Sequence, residues 1–147
     1  MDIEWLILAD SAQVVGNKLY MLGGGWDRLI VNKELPLTQR LAIATSFRVP
    51  WNETNERHSF EIEIATEDGK QLGKGTGQFE IGRPVGVQPG QDQRTQIALE
   101  INMRIEQFGT FVINASVDEE AKRSFSFSVV PGPSLLASRQ TPPGSAE

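Results

Sequence analysis

The chain has 147 residues, a formal net charge of -5 and a 39% hydrophobic fraction, enough for one hydrophobic core and too little for two ordinary domains. Its basic residues are scattered along the chain rather than gathered in a stripe, which argues against nucleic acid and membrane surfaces as partners. The lack of cysteine excludes disulfides, thiolate metal sites and cysteine nucleophiles; the acidic start Met1-Asp2-Ile3-Glu4 and the short apolar stretch after it point to a cytoplasmic protein.

Apolar residues recur at every second position and helical periodicity never lasts, so strands are the expected element. The first runs from about Ile3 to Val15, with Trp5 alternating with Ile3 and Ile7 toward the core. Gly16-Asn17 is a two-residue hairpin signal, because primed turns demand positive φ, and the second strand starts near Lys18. Gly23-Gly24-Gly25 then interrupts that strand. Glycines there mark a bulge, a bend or a close backbone approach that aims the large Trp26 somewhere particular.

Leu41, Ile43, Thr45, Phe47 and Val49 alternate along the next strand, which ends in the polar run Pro50-Trp51-Asn52-Glu53-Thr54-Asn55. Phe60, Ile62 and Ile64 give another strand, closed by a hairpin at Glu67-Asp68-Gly69-Lys70. Gly69-Lys70-Gln71-Leu72-Gly73-Lys74-Gly75 looks superficially like a phosphate loop, but its spacing is short and no helix follows. Two prolines and three glycines make Ile81 to Gly90 a long crossing loop. Ile97 to Ile105, Phe108 to Asp118 and Phe125 to Val129 complete the set, with a turn at Asp118-Glu119-Glu120-Ala121.

About eight half-buried strands predict an all-β fold, an immunoglobulin-like antiparallel β-sandwich over residues 1–131. A Pro/Gly/Ser-rich tail over 132–147 is expected to be disordered. Four motifs in order, Leu8-Ala9-Asp10-Ser11-Ala12-Gln13, Gly23-Gly24-Gly25-Trp26-Asp27, Arg48-Val49-Pro50-Trp51-Asn52-Glu53-Thr54-Asn55 and Gly82-Arg83-Pro84, resemble an uncharacterised family of small bacterial β-sandwich proteins. The resemblance spans about residues 3 to 130. It implies the fold and a bacterial origin and names no activity.

Trp26, Asp27 and Arg28, together with Trp51, Asn52 and Glu53 and with Arg83 as a third side, are the candidate binding surface, because tryptophans beside polar loops make stacking platforms. Each has a plainer reading. Trp26 covers one end of the core, Asn52 to Asn55 build a turn with side-chain hydrogen bonds, and Arg28, Arg48, Arg57 and Arg83, which flank the candidate loops, pair with Asp10, Asp27 or Glu53 and lock the loops as scaffold. His58, the only histidine, lacks the setting of a catalytic triad. The favoured function is therefore a non-catalytic binding or protein-interaction module for a protein partner, with no cofactor and no metal. One alternative is a carboxylate-based, metal-assisted hydrolase using Asp10, Asp27, Glu53 and His58, with Asp10 expected to be buried and paired with Arg28 or backbone N–H groups. Another is a self-associating unit, a homodimer joined through edge strands.

Overall fold

The computed structural model describes residues 1–140. Nine strands form among them: β1 (Asp2–Val15), β2 (Lys18–Gly24), β3 (Arg28–Val31), β4 (Leu37–Val49), β5 (Arg57–Thr66), β6 (Gln71–Glu80), β7 (Gln93–Ile105), β8 (Gly109–Val117) and β9 (Glu120–Pro131). They make a four-stranded sheet in the order β2-β1-β4-β7 and a five-stranded sheet in the order β3-β9-β8-β5-β6. All neighbours are antiparallel except β3, which lies parallel to β9. The expected sandwich is present, with the core filled from both inner faces by residues such as Leu8, Ile43, Phe47, Ile62, Met103, Ile113 and Phe127.

The hairpin signals act where glycine, asparagine and aspartate tolerate positive φ. Gly16 and Asn17, at φ 58° and 59°, form the primed turn between β1 and β2. Asp118 and Glu119, at φ 51° and 66°, form the equivalent turn between β8 and β9, where Val117 pairs with Glu120. A glutamate in that conformation is strained.

Three local expectations fail for physical reasons. Ile3 pairs with Phe47 but Trp5 pairs with Ser46, so Glu4 is an extra residue in β1. This bulge reverses the alternation: Ile3, Leu6 and Leu8 face the core, and Trp5 turns to the outer face. Second, β4 is buried on both faces, not one. Its outer residues Ala42, Ala44 and Ser46 are as covered as Leu41 and Ile43, because the distal half of the β1–β2 hairpin folds over the sheet. Ala12, Leu19 and Met21 from this flap pack on Ala42, Ala44 and Ala98, and Gln96 Nε2 donates to the Asn17 carbonyl at its tip, 3.1 Å away. The small side chains of β4 leave room for it. Third, residues 133–140, expected in the disordered tail, form the helix α1 (Pro133–Gln140). Leu135 is buried there, and the Arg139 guanidinium lies 5.5 Å from the Phe108 ring centre. The rest of that expected tail, residues 141–147, lies outside the described residues.

The sandwich closes tightly where β6 meets β7. A Cβ added at Gly73 or Gly75 would sit 2.6 Å from Ile101 or Leu99, and one at Gly77 would sit 2.6 Å from the Phe60 ring. The alternating glycines that mimic a phosphate loop let one sheet edge press against the other. Among the described residues no helix is long and apolar enough to cross a membrane.

Candidate functional site

The two tryptophan segments lie at opposite ends of the sandwich. Gly25 N donates to Leu8 O, and Leu8 pairs with Ile43; Trp51 follows Val49 at the far end of β4, so about 20 Å of strand separates them at ~3.3 Å per residue. The expected single surface of Trp26, Asp27 and Arg28 with Trp51, Asn52, Glu53 and Arg83 is therefore not formed. The residues expected for metal-assisted hydrolysis are divided in the same way, Asp10 and Asp27 at one end and Glu53 and His58 at the other. Among the described residues no cluster of histidine, aspartate and glutamate is arranged to hold a metal ion.

At the second end, Trp51–Glu53 makes one 3-10 turn. Arg83 from the long loop stacks its guanidinium 3.7 Å from the Trp51 ring centre. It also donates from Nε to Thr54 Oγ1 at 2.7 Å and from Nη2 to the Trp51 carbonyl at 3.0 Å. Thr54 Oγ1 in turn donates to the same carbonyl at 2.6 Å. The Glu53 carboxylate faces the Met1 ammonium at 2.8 Å. Asn52 stays exposed. Arg83, Thr54 and the Glu53 carboxylate are thus engaged within the turn or on its flank, as a cation–π and hydrogen-bonded scaffold requires.

His58, only 3% exposed, lies beneath this turn. Its Nδ1 is 2.7 Å from Asp118 Oδ2, and its Nε2 is 2.7 Å from the Glu53 carbonyl oxygen. The Asp118 carboxylate also accepts from Ser59 N at 3.0 Å, tying the strained β8–β9 turn to β5. Burial opposes charging of the ring, but the Glu53 carbonyl and the Asp118 carboxylate outweigh it and raise the His58 pKa above the usual histidine value. Burial likewise raises the Asp118 pKa, against the lowering effects of His58 and Ser59 N–H; the net shift is downward.

The first end is built differently. Trp26 is half-buried, edge-on to Phe127 with ring centres 6.2 Å apart, and its buried indole N–H has no acceptor among the described residues. Gly23 has φ 59°, and a Cβ there would meet the Asp10 carboxylate. Asp10 itself is exposed, contrary to the expected buried ion pair, because the flap bends away beside it. Asp27 and Arg28 are exposed too, the former anchored by its carbonyl, which accepts from Ser128 N at 3.0 Å.

Beyond the glycines the flap carries Tyr20 and Leu22 outward, 57% and 74% exposed, with Val15 on the same face. β2 and β3 are each the terminal strand of their sheet, and Ile30 on β3 is 52% exposed. Sequence reasoning singled out the glycines and Trp26 here but missed Tyr20 and Leu22. Their alternation with Leu19 and Met21 was visible; which of the two faces is covered depends on the bend.

A cluster also missed surrounds Glu4. Its carboxylate accepts from Arg94 Nε at 2.7 Å and Nη2 at 3.0 Å and from Ser46 Oγ at 2.8 Å, with Arg48 at 3.6 Å. The Arg94 and Ser46 hydrogen bonds hold its pKa down at about 2. The bulge that places Glu4 beside β4 carries little trace in the sequence.

The model of a family of unknown function (DUF6941) matches residues 4–130. Among solved structures the chain is similar to the CARDB domain of the PF1109 protein from Pyrococcus furiosus, determined in complex with di-metal ions. That match has 17% identity and a TM-score of 0.39, and it covers 88% of this chain and 93% of the other. A comparison with curated proteins found no match.

Proposed function

The chain belongs to the DUF6941 family, and from that premise we propose that it is a non-catalytic protein-interaction module working through its open β2–β3 edge. The observation that carries this reading is the outward face of the flap, where Tyr20 and Leu22 stand exposed on a terminal strand. An unpaired strand edge with alternating apolar side chains suits an extended segment of a partner protein: main-chain hydrogen bonds supply affinity and the alternate side chains supply selectivity. Asp27 and Arg28 provide a charged rim beside the glycine bend. Trp26 supports that rim from below. The Trp51 turn belongs to the scaffold in this reading.

The test is retention from native lysate by immobilised full-length protein, comparing wild type, Leu22→Arg and Trp51→Ala after each is shown to be folded. A specific protein retained by wild type and Trp51→Ala but lost from Leu22→Arg is the expected result. Loss from Trp51→Ala alone moves the site to the opposite end, and equal retention by all three overturns the edge as the binding surface.

A further inference from the structure

We infer that the proton on His58 is a latch: it holds the Trp51–Glu53 turn against the β8–β9 turn, and its loss at alkaline pH releases Trp51 and Arg83. The argument begins with the inventory of donors. A neutral imidazole carries one N–H and one bare nitrogen. Here both ring nitrogens face oxygens that only accept, the Asp118 carboxylate and the Glu53 carbonyl, each at 2.7 Å. Only the doubly protonated ring satisfies both. Removing one proton leaves a lone pair facing an oxygen lone pair on a ring that is only 3% exposed, which costs more than the hydrogen bond alone.

Which contact gives way follows from the partners. Asp118 is charged and also receives Ser59 N–H, while Asp118 N donates to Ser59 O at 2.9 Å, so Nδ1 keeps its proton and Nε2 loses it. The Glu53 carbonyl belongs to a turn with no buried residue. That turn moves more readily than a strand paired on both sides, as β5 is with β6 and β8. The Trp51 carbonyl, which accepts from Arg83 and Thr54, shifts with it.

The charged groups around the ring come from every element packed on it. Asp118 approaches from the β8–β9 turn. The Glu53 carboxylate approaches from the 3-10 turn, with the Met1 ammonium just before β1 as its counterion. β6 presents the apolar Phe79 ring, 5.6 Å from the imidazole centre, followed by Glu80 opposite Arg57 of β5. Both carboxylates nearest the ring favour its charged form. A histidine whose folded value is raised contributes stability that is complete below its unfolded value and is lost as the pH climbs through the folded one, so release lies on the alkaline side.

The experiment is a pH series by two-dimensional NMR on the full chain from about pH 5.5 to about pH 9.5. It follows the His58 ring and the Trp51 indole N–H, the latter identified by its disappearance in Trp51→Phe. The expected result is a common midpoint above the ordinary histidine value, moved down in both signals by Asp118→Asn and abolished for Trp51 by His58→Gln. A Trp51 signal that stays flat while the ring titrates overturns the latch, and so does a ring that keeps one protonation state throughout. If either variant fails to fold, the wild-type comparison of the two signals decides alone.

Discussion

The two long edges of this sandwich are finished in opposite ways. Where β6 faces β7, glycines at 73, 75 and 77 remove side chains so that Ile101, Leu99 and Phe60 fill the space against backbone. Where β2 and β3 end the two sheets, the side chains grow larger and point outward, with Tyr20, Leu22 and Ile30 all more than half exposed. The first edge brings backbone against the side chains of the facing sheet and of β5, and the second leaves apolar side chains in solvent. The contrast, more than either edge alone, is what the proposed binding surface rests on.

The sharpest way to break that contrast is to put a side chain back on the closed edge. Gly77→Val places an isopropyl group where a Cβ alone would lie 2.6 Å from the Phe60 ring and is expected to cost about 3 kcal/mol, the upper range for overpacking, read as a lowered denaturant midpoint. At the tied end, Arg83→Ala removes the stacking on Trp51 and two hydrogen bonds. The side chain is exposed, so the expected loss is about 1 kcal/mol. Arg83→Lys should recover little of it, since the planar fork is what reaches Thr54 and the Trp51 carbonyl together.

Glu4→Gln sharpens the comparison through pH. Its carboxylate ties β1 to β7, the closed-edge strand of the four-stranded sheet. With a pKa held at about 2, it contributes stability above its ordinary range that is lost as the pH falls toward that value. Thermal unfolding of the glutamine variant should fall less steeply over that acid interval, with wild type and variant converging at its lower end. The smallest effect belongs to the open edge. Tyr20→Ser and Ile30→Lys should shift stability by no more than about 0.5 kcal/mol. A large loss from either would show that the edge is structural.

Much of this was legible in the residues. Gly16-Asn17 set one hairpin, the alternation of Phe60, Ile62 and Ile64 set β5, and the prolines of 81–90 set the crossing loop. What escaped was whatever depended on two strands at once. One extra residue at Glu4 turned Trp5 outward, and no single-strand pattern reveals a bulge. The alternation of Leu41, Ile43 and Phe47 gave no sign that the alanines between them, Ala42 and Ala44, are small because a flap lies on them. The candidate site suffered most: Trp26 and Trp51 share a local signature, but pairing places them at opposite ends. His58 looked like an isolated histidine because Asp118, its partner, is 60 positions away.

The parallel pairing of β3 with β9 has a consequence for synthesis. Arg28 lies beside Ser128, so the strand carrying one side of the open edge has no neighbour until almost the entire domain has left the ribosome. The four-stranded sheet contains nothing beyond Ile105 and is free to assemble earlier. Long-range pairings are slow to form, and unpaired strands are where nascent chains aggregate. On the growing chain Trp26 also waits for Phe127, so the same edge that would receive a partner is the last part of the fold to be protected from the wrong one.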